Sequence, residues 1–190
     1  MTRWSGWLLV LFIAGCSSVP TGQLALRPSS AEQKLFVLNG RISIRHDGGR
    51  SSANIRWTHH AEADEILLMA PLGYTVARIR SDTQLVILDT ADKHYTAHNT
   101  GELTENVLGW YLPLAGLRYW VLALPEPDGK AIIEHDALGQ TSFIQQDGWK
   151  IHYTRYAAPA PDSLPVRITA QREGLELQLV IDQWEIHSIP

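Results

Sequence analysis

Residues 175–181 read LELQLVI and carry an apolar side chain at every second position, at Leu175, Leu177, Leu179 and Ile181. Strict alternation of this kind is typical of a β-strand with one buried face, because successive side chains of a strand point to opposite sides of the sheet. The polar side chains between them are expected to face solvent. The segment therefore predicts a strand with a single apolar face.

The same alternation recurs along the chain. It is present at Ile42 and Ile44 in GRISIR, at Ala53, Ile55 and Trp57 in SANIRWT, at Leu85 and Ile87 in TQLVILD, and at Trp149, Ile151 and Tyr153 in WKIHY. Turn sequences separate many of these segments, namely HDGG at 46–49, PLG at 71–73, QDG at 146–148 and REG at 172–174. Such spacing is typical of successive hairpins. The predicted fold is mainly β, an antiparallel meander of about nine to eleven strands in one domain from residue 34 to residue 190.

Between Gly101 and Leu124 the apolar period changes from that of a strand to that of a helix. The helical positions are Leu103, Val107, Leu108 and Tyr111, followed by Leu117, Trp120, Val121 and Leu124. Pro113 breaks this run and Pro125 is expected to end it, which predicts two short helices. A sheet of this length must curl, and a sheet curled around helices encloses an apolar interior that either side chains or a ligand can fill.

The candidates for lining that interior are large apolar side chains of the predicted strands and helices: Ile55, Trp57, Trp110, Leu117, Trp120, Trp149, Ile151 and Trp184. Aromatic side chains of this size dominate the buried area of many cores. Composition therefore leaves two interpretations open, ordinary core packing and a ligand cavity.

The first fifteen residues, MTRWSGWLLVLFIAG, have the layout of a secretory signal. Arg3 precedes eight consecutive apolar residues that end at Ala14, a run too short for a permanent membrane span of about 20 residues. The string IAGC at 13–16 resembles a bacterial lipobox, with Ile13 in place of the usual Leu. This resemblance implies that Cys16 is lipidated and becomes the first residue of the mature chain.

Cys16 is the only cysteine, so no intramolecular disulfide can form and its thiol is available to carry lipid. The alternative is an unpaired cysteine near a cleavable signal. The resemblance to bacterial lipoproteins implies three acyl chains on this cysteine, and since about two lipid signals give stable anchoring, three should hold the protein on the membrane. In lipoproteins an Asp after the cysteine favours the inner membrane, so Ser17 indicates the outer membrane. Residues 16–33 are rich in Ser, Pro, Gly and Gln and are expected to form the lipidated N-terminus and a flexible tether.

Charge and motifs exclude several classes of function. The formal net charge of −4 becomes one unit more negative when Arg3 is removed, whereas a nucleic-acid-binding protein needs a basic face. The sequence contains no GxxxxGK[ST] phosphate loop and no GxSxG nucleophile motif. His94 and His98 in HYTAH would lie about 13 Å apart on a predicted strand, too far for one metal ion. His59 and His60 fall in HHAEADE, which we interpret as a solvated turn. No catalytic residue, cofactor or metal is therefore expected.

The turn PLG at 71–73 has an apolar apex. Pro71 presets φ for a turn and Gly73 relieves a strained backbone position, so both flanking residues predict a tight turn. Leu72 stands where a turn normally presents a polar side chain. Either Leu72 folds back onto its own hairpin or the core, or it contacts something apolar outside the protein.

The order and spacing of several stretches resemble the LolB family. The stretches are the lipobox, GRISIR, Trp57, APLG at 70–73, LGWYLPLAGLRYWVLALP at 108–125, QQDGWKIHY at 145–153, LP at 164–165 and the terminal LVIDQW. This resemblance covers nearly the whole mature chain and implies an unclosed antiparallel β-barrel with short helices covering an apolar cavity. It also implies that a hydrophobic residue at the tip of a protruding loop, here Leu72 between Pro71 and Gly73, assists membrane insertion.

Members of this family are outer-membrane lipoproteins that receive other lipoproteins from a periplasmic carrier and insert them into the membrane. The resemblance therefore implies a lipid-anchored protein on the periplasmic face of the outer membrane. The implied partners are a LolA-like carrier, acylated client lipoproteins and outer-membrane lipid, with no nucleic acid, and a monomer is expected. The alternative is an anchored lipid-binding or envelope-stress-sensing module of similar fold without insertase activity.

Overall fold

The computed structural model describes residues 34–188, which form eleven strands and two helices. In chain order these are β1 (Lys34–His46), β2 (Gly49–His60), β3 (Ala63–Met69), β4 (Thr75–Ser81), β5 (Val86–Thr90), β6 (His94–Ala97), α1 (Thr100–Leu108), α2 (Leu114–Trp120), β7 (Ala131–His135), β8 (Thr141–Gln146), β9 (Trp149–Tyr156), β10 (Pro165–Arg172) and β11 (Leu175–Ser188). The predicted signal, Cys16 and the tether lie outside the described residues. Neither of these two helices is long and apolar enough to cross a membrane.

All the strands belong to one antiparallel sheet with the order β6-β5-β4-β3-β2-β1-β11-β10-β9-β8-β7. Strands that follow each other in the chain pair with each other, except β6 and β7, and β1 pairs with β11. Within residues 34–188, β6 and β7 are therefore the two edges of a sheet that does not close. The prediction of a mainly β fold, with an unclosed antiparallel sheet of nine to eleven strands and short helices, is confirmed.

Contacts of α2 show that the sheet is strongly curled. Six strand spacings separate β3 from β8 in the sheet order, which amounts to about 29 Å in a flat sheet. Yet Arg118 Nη2 lies 2.8 Å from Asp64 Oδ2 on β3, and Trp120 Nε1 donates to Gln146 Oε1 on β8 at 3.0 Å. Because Arg118 and Trp120 are two residues apart on one helix, the two halves of the sheet must curve around α2.

The alternating apolar residues lie on the concave face, but the predicted phase is wrong for β5. Val86 and Leu88 are buried there, whereas Leu85 is exposed and Ile87 is half-buried. Four consecutive apolar residues do not define which alternate pair faces inward. Pairing with β4 sets the phase, because Leu88 lies opposite the buried Ile79.

A β-bulge in β11 resets the alternation near the end of the chain. The register between β1 and β11 shifts next to Gly40 and skips Asp182. Side chains at odd positions face the core up to Ile181, and beyond the bulge Trp184 is half-buried on the same face. A Cβ atom on Gly40 would lie 2.1 Å from the backbone oxygen of Val180, so this approach of two strands requires glycine.

Local signals define the ends of the two helices. The side chain of Asn99 caps α1 by accepting a hydrogen bond from the backbone nitrogen of Glu102 at 3.0 Å. Helix α1 ends at Gly109, which has a left-handed φ of 81°. Helix α2 ends before Ala123, where φ is 57°. Both helices are therefore shorter than the predicted helical run, which extended to Leu124.

Candidate functional site

The hairpin between β3 and β4 presents its apex on a well-defined turn. The backbone oxygen of Ala70 accepts from Gly73 N at 2.8 Å, and Ala70 N donates to the oxygen of Tyr74 at 2.9 Å. Pro71 and Leu72 are therefore the two central residues of a β-turn, followed by Gly73 with φ of 89°. Leu72 does not have the positive φ that a type II turn demands, so the geometry is that of a type I turn followed by a left-handed glycine.

This turn holds Leu72 away from the core. Its side chain is 91% exposed, and the neighbouring apolar side chains of Tyr74 and Val76 are 62% and 40% exposed. Leu72 therefore does not fold back onto its hairpin or onto the core. A tip with three exposed apolar side chains within five residues is an unusual surface for a soluble domain and is typical of a site that contacts another apolar phase.

The residues predicted to line the interior belong to one hydrophobic cluster inside the curled sheet. Six are buried, namely Ile55, Trp57, Leu117, Trp120, Trp149 and Ile151, as is Trp110, and Trp184 is half-buried against them. Aromatic rings connect the parts of the cluster. The rings of Trp120 and Trp149 lie 5.9 Å apart between centroids, and Phe36 lies 5.2 Å from Trp57 and 5.7 Å from Trp184.

Two adjoining pockets open beside the helices and reach this cluster. The first has a volume of about 330 Å³, and its wall includes Val86, Leu112, Tyr111, Trp120 and Trp149. The second has a volume of about 420 Å³ and shares Tyr111 and Trp149 with the first. These volumes fall at the lower end of the range for small-molecule sites, about 300–1,000 Å³. Both pockets therefore reach the edge of the hydrophobic cluster on the side on which the two helices lie, and charged side chains such as Arg172 also line them.

A buried polar cluster fastens α2 to the opposite half of the sheet. Asp64 Oδ1 accepts hydrogen bonds from Trp57 Nε1 at 2.7 Å and interacts with His59 Nδ1 at 2.8 Å, while Asp64 Oδ2 pairs with Arg118 Nη2 at 2.8 Å. The Asp64 side chain is fully buried and that of Arg118 is 25% exposed. Both carboxylate oxygens of Asp64 therefore have polar partners, as buried polar groups require, although the side chain lies inside the curled sheet.

Sequence reasoning missed this cluster. The prediction of a solvated turn for HHAEADE is wrong, because β2 extends to His60 and β3 begins at Ala63, so the turn is only two residues long. His59 and Asp64 are 5% and 3% exposed. The alternation of side chains along β2 could have predicted the burial of His59, because His59 lies two residues after Trp57 and therefore on the same inward face.

His94 and His98 do not share a ligand site. His94 Nδ1 contacts Asp89 Oδ1 at 2.5 Å, and His98 Nδ1 lies 2.9 Å from the backbone oxygen of Gln84. The contact with His94, followed by that with Arg80, lowers the pKa of Asp89 below its ordinary value. Among residues 34–188, no group of three or more His, Cys, Asp or Glu side chains is arranged to hold a metal ion.

The Glu126 carboxyl has a pKa raised above its ordinary value. It lines the first pocket together with Asp147 and Arg118. Burial is the main cause of the higher pKa, and the nearby Asp147 carboxylate adds to it, while Arg118 acts in the opposite direction.

The sequence matches a known protein family over most of its length. The family model for "Outer membrane lipoprotein LolB" matches residues 34–184. A Nitrosomonas europaea protein named outer-membrane lipoprotein LolB is 36% identical over 193 aligned positions, covering 94% of this chain and 91% of the relative. A Thiobacillus denitrificans protein of the same name is 36% identical over 175 positions, covering 91% of each chain.

Among solved structures, a LolA superfamily protein from Nitrosomonas europaea aligns with a TM-score of 0.45 at 8% identity, covering 84% of this chain and 88% of that chain. The family model spans most of the chain, and the two named relatives exceed 30% identity over nearly their whole length. The chain therefore belongs to the LolB family of outer-membrane lipoproteins.

Proposed function

We propose that this protein is anchored in the outer membrane and accepts acylated lipoproteins from a periplasmic carrier into its half-barrel, from which it inserts them into the membrane. Family membership supports this function, and the curled sheet with its apolar interior supplies a place for acyl chains. Cys16 carries the anchor, and residues 16–33 tether the domain at 34–190 to the membrane.

The physical need for a sheltered path explains the apolar interior. Acyl chains exposed to water cost about 0.8 kcal/mol per methylene, so a lipoprotein crossing an aqueous compartment must pass from one apolar pocket to another. Transfer proceeds when the receiving pocket holds lipid more tightly than the carrier, and the bilayer more tightly still. Such a sequence of downhill steps needs no catalytic group.

The proposed lining of the lipid cavity is Ile55, Trp57, Leu117, Trp120, Trp149, Ile151 and Trp184. Trp120 and Trp149 are the residues of this set that line the pockets beside the helices, which supports a path for acyl chains past the two rings. The deeper side chains pack against each other in the cluster.

The observation that carries the insertase function is the exposure of Leu72. A protein that only stores or senses lipid has no use for a 91% exposed leucine at the apex of a turn. Transfer of a leucine side chain from water to hydrocarbon is favourable by about 1.5–3 kcal/mol. Leu72, supported by Pro71 and Gly73, therefore enters the bilayer and brings the loaded cavity to the membrane.

The test is Leu72→Glu with client uptake and membrane delivery measured separately on one preparation. Leu72→Glu should leave folding and uptake of an acylated client intact, because an apex residue has no core contact to lose. Delivery should fall by about 10- to 150-fold, since the variant loses about 1.5–3 kcal/mol of membrane binding and each 1.4 kcal/mol is a factor of ten.

The matched control is Leu138→Glu. Leu138 is a 50% exposed leucine in the turn between β7 and β8, so this change adds the same charge at another turn. It should leave both uptake and delivery unchanged. Normal delivery by Leu72→Glu would exclude a membrane-inserting tip and favour a lipid-binding or stress-sensing module.

A further inference from the structure

The convex face of the sheet carries a basic pocket beside the hairpin tip. Its volume is about 540 Å³, and its lining includes Arg41, Arg50, Arg167 and Pro71. Arg41 and Arg167 lie on either side of Val180 in the pairing of β1, β11 and β10. Two strand spacings therefore separate their backbones, which is about 10 Å.

All the charged residues that line this pocket are positive. The lining contains three arginines and neither Asp nor Glu, although the whole chain has a net charge of −4. Among the described residues, no ion pair includes Arg50 or Arg167. Arg41 lies 3.2 Å from Asp182, and both side chains are more than half exposed, so water screens that pair strongly. Three guanidinium groups around one recess create a local positive potential that favours an anion.

Polar side chains complete the lining. Arg50 Nε donates to Ser43 Oγ at 3.2 Å, which draws its guanidinium across the strand pair toward β1. Ser52 and Asn54 on β2 and Gln178 on β11 add hydroxyl and amide groups. Guanidinium groups bind phosphate oxygens through paired hydrogen bonds, and neighbouring hydroxyl and amide donors can bind the remaining oxygens. This set of donors suits a phosphate better than a carboxylate, because a phosphate presents more acceptor oxygens.

The position of the pocket relates it to the membrane. Pro71 is part of the pocket wall and directly precedes Leu72 in the chain. The polar headgroup layer on each side of a bilayer is about 5–8 Å thick. When Leu72 reaches the hydrocarbon, the wall formed by Pro71 therefore lies at the level of the phosphates.

We propose that the pocket formed by Arg41, Arg50 and Arg167 binds the phosphate of a phospholipid headgroup while the hairpin tip is in the membrane. This inference rests on the proposed function, because it takes the membrane as the source of the phosphate. The site fixes the orientation of the half-barrel on the bilayer, which a single apolar tip cannot do. Apolar insertion and phosphate binding then act together at adjacent points of one surface.

The test is a binding titration on the full-length mature lipoprotein in a non-ionic detergent. The probes are dihexanoyl phosphatidylglycerol and, in a separate arm, inorganic phosphate, both followed by calorimetry at low ionic strength. The variant combines Arg41→Gln, Arg50→Gln and Arg167→Gln. Since all three side chains are exposed, thermal unfolding should remain close to that of the unmodified protein. The variant should bind the lipid probe at least tenfold more weakly.

A charge-matched control combines Lys93→Gln, Lys150→Gln and Arg155→Gln, which are exposed positions outside this pocket. This control loses three positive charges, as many as the pocket variant does, and should bind the lipid probe within twofold of the unmodified protein. The single variant Arg167→Gln, which breaks no ion pair among the described residues, should show a smaller loss than the triple variant.

If the control and the pocket variant lose affinity for the lipid probe equally, the loss comes from the net charge of the protein and not from the pocket, and the proposal is overturned. Unchanged binding in the pocket variant would overturn it as well. A larger loss for inorganic phosphate than for the lipid probe would assign the pocket to free phosphate and overturn the membrane source.

Client delivery by the unmodified protein is measured alongside. If the unmodified protein delivers client normally, but the pocket variant and the charge-matched control bind the lipid probe with the same affinity, only the phosphate site is excluded. If delivery is absent, the proposed function fails, and with it the membrane source of the phosphate.

Discussion

Replacement of Arg118 by Met should release α2 from the far half of the sheet. The substitution keeps an unbranched apolar stem of similar length but removes the guanidinium that pairs with Asp64 at 2.8 Å. Asp64 then keeps two neighbours, Trp57 Nε1 and His59 Nδ1, both on one carboxylate oxygen. The other oxygen is left buried and unpaired.

The expected loss of stability follows from this geometry. Removing one partner of a buried ion pair typically costs about 3–5 kcal/mol. Two features reduce this cost here, since the Arg118 side chain is 25% exposed and its Nε is already buried without a hydrogen-bond partner. We therefore expect a loss of about 2–3 kcal/mol, which lowers the melting temperature of a domain of this size by roughly 5–10 °C.

A second substitution distinguishes the loss of the Arg118–Asp64 ion pair from a general loss of packing around α2. Asp64→Asn removes the charge but leaves an oxygen that accepts from Trp57 Nε1, so it should cost about 1–2 kcal/mol. Because most of the cost of Arg118→Met is the unpaired carboxylate, the double variant should be little less stable than Asp64→Asn alone. The coupling energy of the pair should be about 2 kcal/mol.

Urea unfolding of the full mature chain measures these free energies, and hydrogen exchange of residues 114–124 reports the release of α2. Amide exchange in this segment should accelerate in Arg118→Met while exchange in β1 and β11 changes little. A loss below about 0.5 kcal/mol for Arg118→Met, or strict additivity in the double variant, would refute the role of this pair as the attachment of α2.

Three further outcomes are expected. Gly40→Ala should destabilise the fold by more than about 2 kcal/mol in thermal unfolding, because its Cβ would lie 2.1 Å from a backbone oxygen of β11; a neutral result would show that the bulge adapts. Trp149→Phe and Leu117→Ala should lower client affinity by more than they lower thermal stability if these residues line a lipid space, and equal losses would favour ordinary core packing. The pKa of Glu126 is raised by burial, so the folded state holds its proton more tightly than the unfolded state, and this contribution to stability is lost as pH rises through the folded pKa. Glu126→Gln should therefore be more stable than the unmodified protein at neutral pH, and urea unfolding at pH 7 and pH 4 should show the advantage shrinking at the lower pH.

Local sequence was sufficient for the fold class and for the identity of the tip. The period of two in segments such as 175–181, with turn sequences between them, indicated an antiparallel sheet because strand alternation and turn chemistry are short-range properties. Pro71 and Gly73 likewise specified a turn with Leu72 at its apex. These features depend on the steric preferences of a few neighbouring residues, so they can be identified without knowledge of the rest of the chain.

Which face of an ambiguous strand is buried depended on contacts between residues far apart in the sequence. The inward position of Leu88 follows from its pairing with β4, and that of Trp184 from a bulge against Gly40. Arg118 and Asp64, 54 residues apart, meet only because the sheet curls around α2. The basic pocket likewise draws its arginines from three strands, β1, β2 and β10. Long-range pairing and sheet curvature bring these groups together, and no local pattern encodes either of them.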